Sequence, residues 1–190
     1  RYNNRSWDFD LTSKRVISWL SNHELTYDND KEFKIKFDSS IQKQANHLLN
    51  EIKNSKVFEN KMIGCAAIIL TGLAYQNNKI YIENGLSLLR KIVKTSIDNN
   101  GFPKSRNIKQ LSFYLKYFIL IREWFKESQN AIPEFIDEAI YYLGTSYAFI
   151  WQNINQNILF NGNYISNNDE FDQYLKRLNY KFKNENKEVA

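Results

Sequence analysis

Residues 99–107, NNGFPKSRN, interrupt a chain in which amphipathic helical segments otherwise follow one another. The segment contains Gly101, one of only two prolines, Pro103, and two cations, Lys104 and Arg106. Glycine and proline fix the path of a turn, and loops on a rigid helical frame commonly carry binding groups. We therefore interpret the segment as a cleft loop whose cations meet an anionic ligand.

The composition restricts the classes of partner. The 190 residues carry a net charge of +5, with 43% apolar and 25% charged residues, which is typical of a globular protein and favours acidic partners. These include polyanionic sugars, anionic lipid and nucleic acid. The basic residues are spread along the chain and form no nucleic-acid motif, so we predict no nucleic-acid partner. No apolar run reaches the length of a membrane span, so none is expected.

The cysteine and histidine residues predict no metal site and no cofactor. Cys65 cannot form an internal disulfide and sits in an apolar run, which indicates a buried small side chain. His23 and His47 are far apart in sequence and lack carboxylates at ligand spacing. His47 lies off the apolar face of its predicted helix and is expected in solvent. His23 is expected at a helix end.

Apolar spacing predicts a helical protein. One helix is expected to begin with Thr12 or Ser13 as its cap. A second helix carries residues spaced three and four apart, namely Phe33, Phe37, Ile41, Ala45, Leu48 and Ile52. A third, about 61–75, is apolar nearly all round and is therefore expected to be buried on most sides.

The rest of the chain continues this pattern. Further helices are predicted at about 79–96, at about 108–126 and from Pro133 to about 151. A second polar break, NQNILFNGNYISNND, precedes a last predicted helix with an apolar stripe of Phe171, Tyr174, Leu175 and Leu178. We predict a single all-α domain over 1–190, made of antiparallel helical hairpins. An α/α toroid or an irregular solenoid fits this order, with both breaks at one rim.

Three segments, in this order and at approximate family spacing, carry a resemblance to a known family. ENKMIGCAAIILTGLAYQN is similar to an NNH helix start followed by an Ala-rich buried helix. LLRKIVKTSIDNNGFPKSRNIKQL is similar to a DGGH-x-x-R loop after a long helix, and ILFNG to an FND or FNG turn. Upstream, VISWLSNHEL resembles a Trp-Leu helix. Together they resemble the helical domain of the heparinase II/III family of bacterial polysaccharide lyases and lyase-like proteins.

The resemblance implies a fold and an activity. In that family an α/α toroid precedes an antiparallel β-sandwich, and the cleft between them holds an acidic polysaccharide. The chain is then expected to be part of an incomplete toroid, with native N-terminal sequence missing and a β-sandwich expected downstream. Cleavage proceeds by β-elimination, in which the charge of a uronate is offset, a base removes the adjacent proton and an acid protonates the leaving oxygen. A bacterial periplasmic or cytoplasmic location is open.

The resemblance also implies site residues. Asn60 matches the family's neutralising Asn, and Arg106 matches the loop Arg. Lys61 stands where many members have His. Gln110 stands where active lyases have Tyr, and Gly162 replaces the Asp of the FND turn.

These departures leave the catalytic role open. Gln110 cannot act as an acid or a base in the way that Tyr does. Either Tyr114 or Tyr117, further along the same helix, takes over, or the chemistry differs, or this branch no longer cleaves. Both tyrosines are alternatively core residues. We expect the isolated chain to have no lyase activity.

Each remaining candidate has a structural alternative. Asn60 is expected to be the neutraliser, the N-cap of its helix, or both. Lys61 is a ligand of the sugar or a solvated first-turn residue. Arg106 binds the sugar or contacts a helix end or a loop carbonyl. Lys104 is assigned to the sugar, and Asn161 is a ligand or a turn residue.

Two functions are therefore predicted. The first is the helical domain of a lyase that binds and cleaves acidic polysaccharide when joined to a β-sandwich. The second is a non-catalytic helical carbohydrate- or protein-interaction module. The geometric test of the first is that Asn60, Arg106 and Gln110 approach one concave surface, although they are distant in sequence.

Overall fold

The computed structural model describes residues 4–22, 30–55, 57–75, 78–152, 158–160 and 163–165. These residues form a short 3-10 helix, Asn4–Trp7, and six α-helices. The α-helices are α1 (Phe9–Ser21), α2 (Lys31–Glu51), α3 (Phe58–Ala74), α4 (Lys79–Ser96), α5 (Ile108–Glu127) and α6 (Glu134–Gln152). Two three-residue strands follow, β1 (Ile158–Phe160) and β2 (Asn163–Ile165). The all-α prediction is confirmed, and the toroid stays a prediction.

Helix α3 is the centre of the packing. It contacts α1, α2, α4 and α5, and every residue from Met62 to Leu73 is buried. Helix α6 packs on the other side of α5. A helix that is apolar nearly all round has to be enclosed by neighbours, so the predicted burial of α3 is confirmed. The consecutive pairs α1–α2, α2–α3, α3–α4 and α5–α6 pack together around one apolar core, whereas α4 and α5 contact each other weakly at most.

Two predicted helix starts are wrong. Helix α1 is capped by Asp8, whose carboxylate accepts from the backbone N–H groups of Asp10 and Leu11, and Thr12 and Ser13 are buried inside the helix. Helix α3 begins at Phe58, with the carbonyl of Val57 accepting from the N–H of residue 61 at 3.1 Å.

Asn60 therefore lies inside the first turn of α3 and is not its N-cap. The cap position belongs to Val57, which has no side chain that can accept a hydrogen bond. The spacing of buried apolar residues did not predict this turn, because the side chains of Val57 and Phe58 are exposed, at 50% and 46%.

Two predictions on α2 also need correction. The stripe is buried from Phe37 to Ile52, but Phe33 in the first turn is 43% exposed and contacts the ring of Phe37 instead. His47 is half-buried rather than solvated. Its Nε2 lies 3.0 Å from the carbonyl oxygen of Trp7, and its ring meets the Trp7 ring edge-on at 5.1 Å. The 3-10 helix, which the apolar pattern did not predict, covers this face.

The second polar break contains a short antiparallel hairpin. Ile158 pairs with Ile165 and Phe160 with Asn163, and β2 contacts α5. The sequence carried a signal for it, because an Asn-Gly dipeptide between two apolar runs is typical of a two-residue hairpin turn. Several predictions fall outside the described residues, namely those on His23, Asn161, Gly162 and the helix with Phe171, Tyr174, Leu175 and Leu178.

Candidate functional site

Residues 97–107, which we call the α4–α5 loop, are ordered by the side chain of Asp98. Its Oδ1 accepts from the backbone N–H groups of Asn100 and Phe102, both at 2.9 Å. The backbone N–H of Asp98 donates to the carbonyl of Phe102 at 2.8 Å, and Ile97 and Pro103 form an antiparallel bridge. These hydrogen bonds therefore close the polar break into a compact turn.

Asp98 also holds the cation that the sequence singled out. Its Oδ2 lies 2.8 Å from a terminal nitrogen of Arg106. Burial acts to raise the pKa of the Asp98 carboxyl, but the hydrogen bonds from Phe102 and Asn100 and the positive charge of Arg106 outweigh it and lower the pKa below its ordinary value. Asp98 is therefore ionised at neutral pH and offsets the charge of Arg106.

The loop is fixed to helix α6 at two points. Gly101 is buried with a φ of +80°, and a Cβ on it would lie 2.3 Å from the carbonyl oxygen of Tyr142. Only glycine fits so close an approach in this backbone conformation. Beside it, the hydroxyl of Ser146 donates to the carbonyl of Asn100 at 2.7 Å. The prediction that glycine sets the path of this segment is confirmed.

The two loop cations have partners within the fold. The ammonium of Lys104 donates to the carbonyl of Lys94 at 3.0 Å, at the C-terminal end of α4. Arg106 has a φ of +57°, pairs with Asp98 and stacks over the ring of Phe102, 5.8 Å from its centre. Both side chains are nevertheless exposed at the surface of the loop, where an anion can reach them.

The first turns of α3 and α5 meet through Gln110. Its amide nitrogen donates to Oε1 of Glu59 at 3.3 Å, and its amide oxygen accepts from the hydroxyl of Ser105. Asn107 caps α5 by accepting from the N–H groups of residues 109 and 110. Asn60, next to Glu59, therefore lies at the same end of the bundle as Gln110 and the α4–α5 loop. We call this region the α3/α5 end; a concave shape there stays a prediction.

The two tyrosines of α5 that the resemblance offered as alternatives to Gln110 both lie in packed surroundings. The Tyr114 side chain is completely buried, and its hydroxyl has no hydrogen-bond partner among the described residues. Burial raises the pKa of Tyr114, the charge of Glu59 adds to this rise, and Ser96 counteracts it in part although the two hydroxyls do not meet at hydrogen-bond geometry. Burial also raises the pKa of Tyr117, whose ring packs on Phe113 at 4.8 Å. Core packing accounts for both.

Lys61 extends from the first turn of α3. Its ammonium lies 6.0 Å from the centre of the Phe58 ring, and the side chain is half-buried. One turn further on, Cys65 is fully buried as predicted, and burial raises the pKa of its thiol to about 12, with Lys61 opposing the rise. This thiol is not a nucleophile at neutral pH.

An apolar cavity of about 300 Å³ adjoins the α4–α5 loop, between the start of α5 and the end of α6. Its walls include Phe102, Leu111 and Phe149, and Arg106 and Asn107 supply its polar edge. Walls of this kind suit an apolar group better than the hydroxyl groups of a sugar. This cavity is therefore not the place where we look for a sugar site.

Across the described ranges, no three His, Cys, Asp or Glu side chains are grouped so that they could hold a metal ion. None of the described helices combines the length and the apolar character that a membrane crossing requires.

Sequence reasoning missed three side chains that build this end, namely Glu59, Asp98 and Ser105. Asp98 had a local signal, since an Asp two residues before a turn commonly binds the turn's backbone N–H groups. Glu59 had none, because its contact with Gln110 spans 51 residues of sequence. No known protein-family model, curated protein or solved structure matches this chain.

Proposed function

We propose that this chain is a heparinase II/III-like helical domain that binds acidic polysaccharide at the α3/α5 end and does not cleave it by itself. The supporting observation is the contact between Gln110 and Glu59, which brings together the ends of α3 and α5 that carry the candidate residues. The N-terminal turns of both helices add partial positive charge there, which favours a carboxylate.

The local charges favour an anion. The first turns of α3 and α5 and the α4–α5 loop carry four cations and two carboxylates. The cations are Lys61, Lys104, Arg106 and Lys109, and the carboxylates are Glu59 and Asp98. Arg106 and Lys104 keep donors beyond those used within the loop, since a guanidinium has five N–H groups and an ammonium three. A uronate of a polysaccharide can therefore bind without breaking the contacts that order the loop.

The side chains at this end argue against cleavage by the chain alone. The side-chain amide of Gln110 uses both its nitrogen and its oxygen in hydrogen bonds, and an amide is neither an acid nor a base at neutral pH. Tyr114 cannot reach a ligand in this conformation because it is fully buried. We therefore favour the binding function over β-elimination.

One observation favours the lyase as the second candidate. Glu59 places a carboxylate beside Gln110 at the α3/α5 end, and a carboxylate can accept a proton. Together with a histidine from a β-sandwich domain, it supplies a proton-transfer pair. In this second proposal, Asn60 offsets the uronate charge.

Binding is tested by calorimetric titration of the chain with two acidic tetrasaccharides, an unsulfated tetra-uronate and a heparin-derived fragment. Arg106→Ala is expected to weaken binding by about 1.5–3 kcal/mol, which is roughly a 10- to 150-fold loss of affinity. Lys61→Ala is expected to weaken it less. Lys43→Ala, an exposed substitution on α2, is the matched control and should leave the affinity unchanged.

Cleavage is tested separately by ultraviolet absorbance of unsaturated uronate. We expect no product from the chain with either tetrasaccharide. Product that disappears in Glu59→Gln would replace the binding proposal by the lyase. Affinity that is unchanged in both Arg106→Ala and Lys61→Ala would remove the α3/α5 end as the binding site.

A further inference from the structure

A cleft of about 450 Å³ runs between the second half of α4 and the first half of α6, with the α4–α5 loop closing one end. Its volume is within the range of about 300–1,000 Å³ that is usual for small-molecule sites. Its lining combines apolar, aromatic and charged side chains, among them Val93, Lys94, Ile97, Lys104, Glu138 and Tyr142. Of these residues, Ile97 and Lys104 lie on the α4–α5 loop, which the cleft shares with the α3/α5 end.

Aromatic rings line the α6 wall of this cleft. Tyr142 is 43% exposed although its main chain is fixed against Gly101. About two helical turns earlier, Phe135 also lines the cleft, and the guanidinium of Arg90 lies 4.5 Å from the centre of its ring. An exposed ring on an immobilised backbone presents a flat apolar face at low entropic cost. Sugar rings have such a face on the side where their C–H groups project.

The charges on the other wall complement an anion. Lys94 and Lys104 line the cleft, and the ammonium of Lys104 uses one of its three protons on the carbonyl of residue 94. Asp98 also lines it, but Arg106 offsets that charge at 2.8 Å. Glu138 is the opposing carboxylate on α6. The lining itself is balanced, with two lysines against two carboxylates. The net positive charge comes from Arg106, which pairs with Asp98 from outside the lining. The two lysines lie across the cleft from the aromatic wall.

We propose that this cleft is a second subsite, in which a uronate ring stacks on Tyr142 while its carboxylate binds Lys94 and Lys104. The inference rests on the proposed binding of acidic polysaccharide and extends it, because the α4–α5 loop contributes to both sites. A chain of sugars that contacts Arg106 can then continue past Lys104 into the cleft. The cleft supplies stacking and charge pairing, and it takes part in no bond cleavage.

The experiment is calorimetric titration of the full chain with an unsulfated tetra-uronate, beside a neutral tetrasaccharide as a probe of charge. Two pairs of neighbouring residues give matched controls. Tyr141 is 60% exposed and packs edge-on against Tyr142, yet it does not line the cleft. Lys91 is exposed on α4 and does not line it either.

Tyr142→Ala is expected to weaken tetra-uronate binding about 3- to 10-fold, because it removes the stacking face. Tyr141→Ala should leave it unchanged, and Tyr142→Phe should retain it because the ring stays. Lys94→Ala is expected to weaken binding about 2- to 5-fold, unlike Lys91→Ala. Glu138→Gln should strengthen binding about 2-fold, an effect of opposite sign that a purely structural role would not produce. The neutral tetrasaccharide should bind more weakly than the uronate.

The outcomes separate this proposal from the one on which it rests. If Arg106→Ala loses affinity while Tyr142→Ala and Lys94→Ala do not, the α3/α5 end is retained and the cleft subsite is overturned. Loss in the cleft variants alone would retain the cleft and overturn the α3/α5 end. If the unaltered chain does not bind tetra-uronate, both proposed binding sites are overturned. The same holds if the cleft binds a protein instead. A melting temperature for Tyr142→Ala close to that of Tyr142→Phe shows that the loss is not one of folding.

Discussion

The chain reverses direction at the two ends of α5 in different ways. After α5, residues 128–133 form a link in which the N–H of Ser128 donates to the carbonyl of Trp124 and that of Asn130 to the carbonyl of Phe125, both at 3.0 Å. The side chains of Ser128 and Asn130 add hydrogen bonds that stay within the same few residues. Gln129 takes a left-handed φ of +56° there, as is common where a helix ends. Before α5, the α4–α5 loop combines main-chain hydrogen bonds with side-chain contacts that reach other elements, such as the one from Ser146 on α6.

The difference concerns which residues the fold needs. The 128–133 link satisfies the carbonyls of a helix end and then starts the next helix after Pro133. Its side-chain hydrogen bonds, from Ser128 and Asn130, are local and connect it to no other helix. The α4–α5 loop needs the carboxylate of Asp98, the absent side chain of Gly101 and the hydroxyl of Ser105. Lys104 and Arg106 add exposed positive charge to the same loop, which is why the proposed binding site lies at this end of α5.

The largest expected effect comes from Gly101→Ala. The new Cβ would meet the main chain of Tyr142 at 2.3 Å in a backbone conformation with φ +80°. Left-handed strain and overpacking against an immobile carbonyl together should lower the free energy of unfolding by about 2–4 kcal/mol. Urea denaturation measures it. A loss below about 1 kcal/mol would show that the loop is not fixed against α6.

Asp98→Ala tests the side chain that orders the loop. Two backbone N–H groups and one guanidinium lose their acceptor, so the free energy of unfolding should fall by about 1–3 kcal/mol. Asp137→Ala is the matched control, because Asp137 pairs with Arg122 at 2.6 Å but orders no loop backbone. Equal losses in the two variants would remove the distinction between the loop and the rest of the surface.

The same carboxylate predicts a pH dependence. The folded-state pKa of Asp98 lies below the unfolded value, so the native state binds fewer protons than the unfolded state in acid. Its stabilisation is therefore fully present above the unfolded pKa, about 3.9, and is lost as the pH falls through the lower folded pKa. Thermal unfolding is measured between about pH 5 and about pH 2.5, a range that brackets the unfolded pKa. Stability should fall less steeply with decreasing pH in Asp98→Asn than in the unaltered chain. Identical pH dependence in the two proteins would contradict the claim that ionised Asp98 stabilises the fold.

The sequence predicted the elements better than their contacts. Residues at helical spacing from Phe37 to Ile52 and the enclosed α3 follow from periodicity, because burial of an apolar face leaves few alternatives. The starts of α1 and α3 were missed because polar residues such as Thr12 and Asn60 fit a cap as well as a first or second turn. Local pattern cannot decide between those positions.

The α3/α5 end was predicted in part. Gly101 and Pro103 indicated a turn, since both restrict backbone geometry by themselves. The contacts of Gln110 with Glu59 and of Arg106 with Asp98 were not predicted, because pairing between distant polar side chains depends on how the helices pack. The comparison of the two links thus separates what a local pattern contains from what packing adds.

Tyr114→Phe probes an unsatisfied group behind the α4–α5 loop. The buried hydroxyl has no partner among the described residues, so its removal should raise the free energy of unfolding by about 1 kcal/mol. Phe118→Leu, in the same helix and also fully buried, is the control that should lower it through lost volume. A lower free energy of unfolding in Tyr114→Phe, measured by urea denaturation, would show that the hydroxyl is hydrogen-bonded in solution and would move Tyr114 from packing to a polar role at this end.

The smallest expected effect distinguishes the two links at the same backbone geometry. Gln129 and Arg106 both have a left-handed φ, +56° and +57°, which glycine adopts with less strain. Gln129→Gly should therefore raise the free energy of unfolding by about 0.5 kcal/mol, since relief of strain slightly exceeds the added chain entropy. Arg106→Gly gains the same relief but loses its pairing with Asp98 at 2.8 Å, so it should be neutral or destabilising. Urea midpoints of the two variants, compared at pH 7 and at high salt, measure the difference: salt should narrow it, because only the Arg106 contribution is electrostatic. Equal stabilisation by both glycines would mean that the Arg106–Asp98 pair does not stabilise the α4–α5 loop.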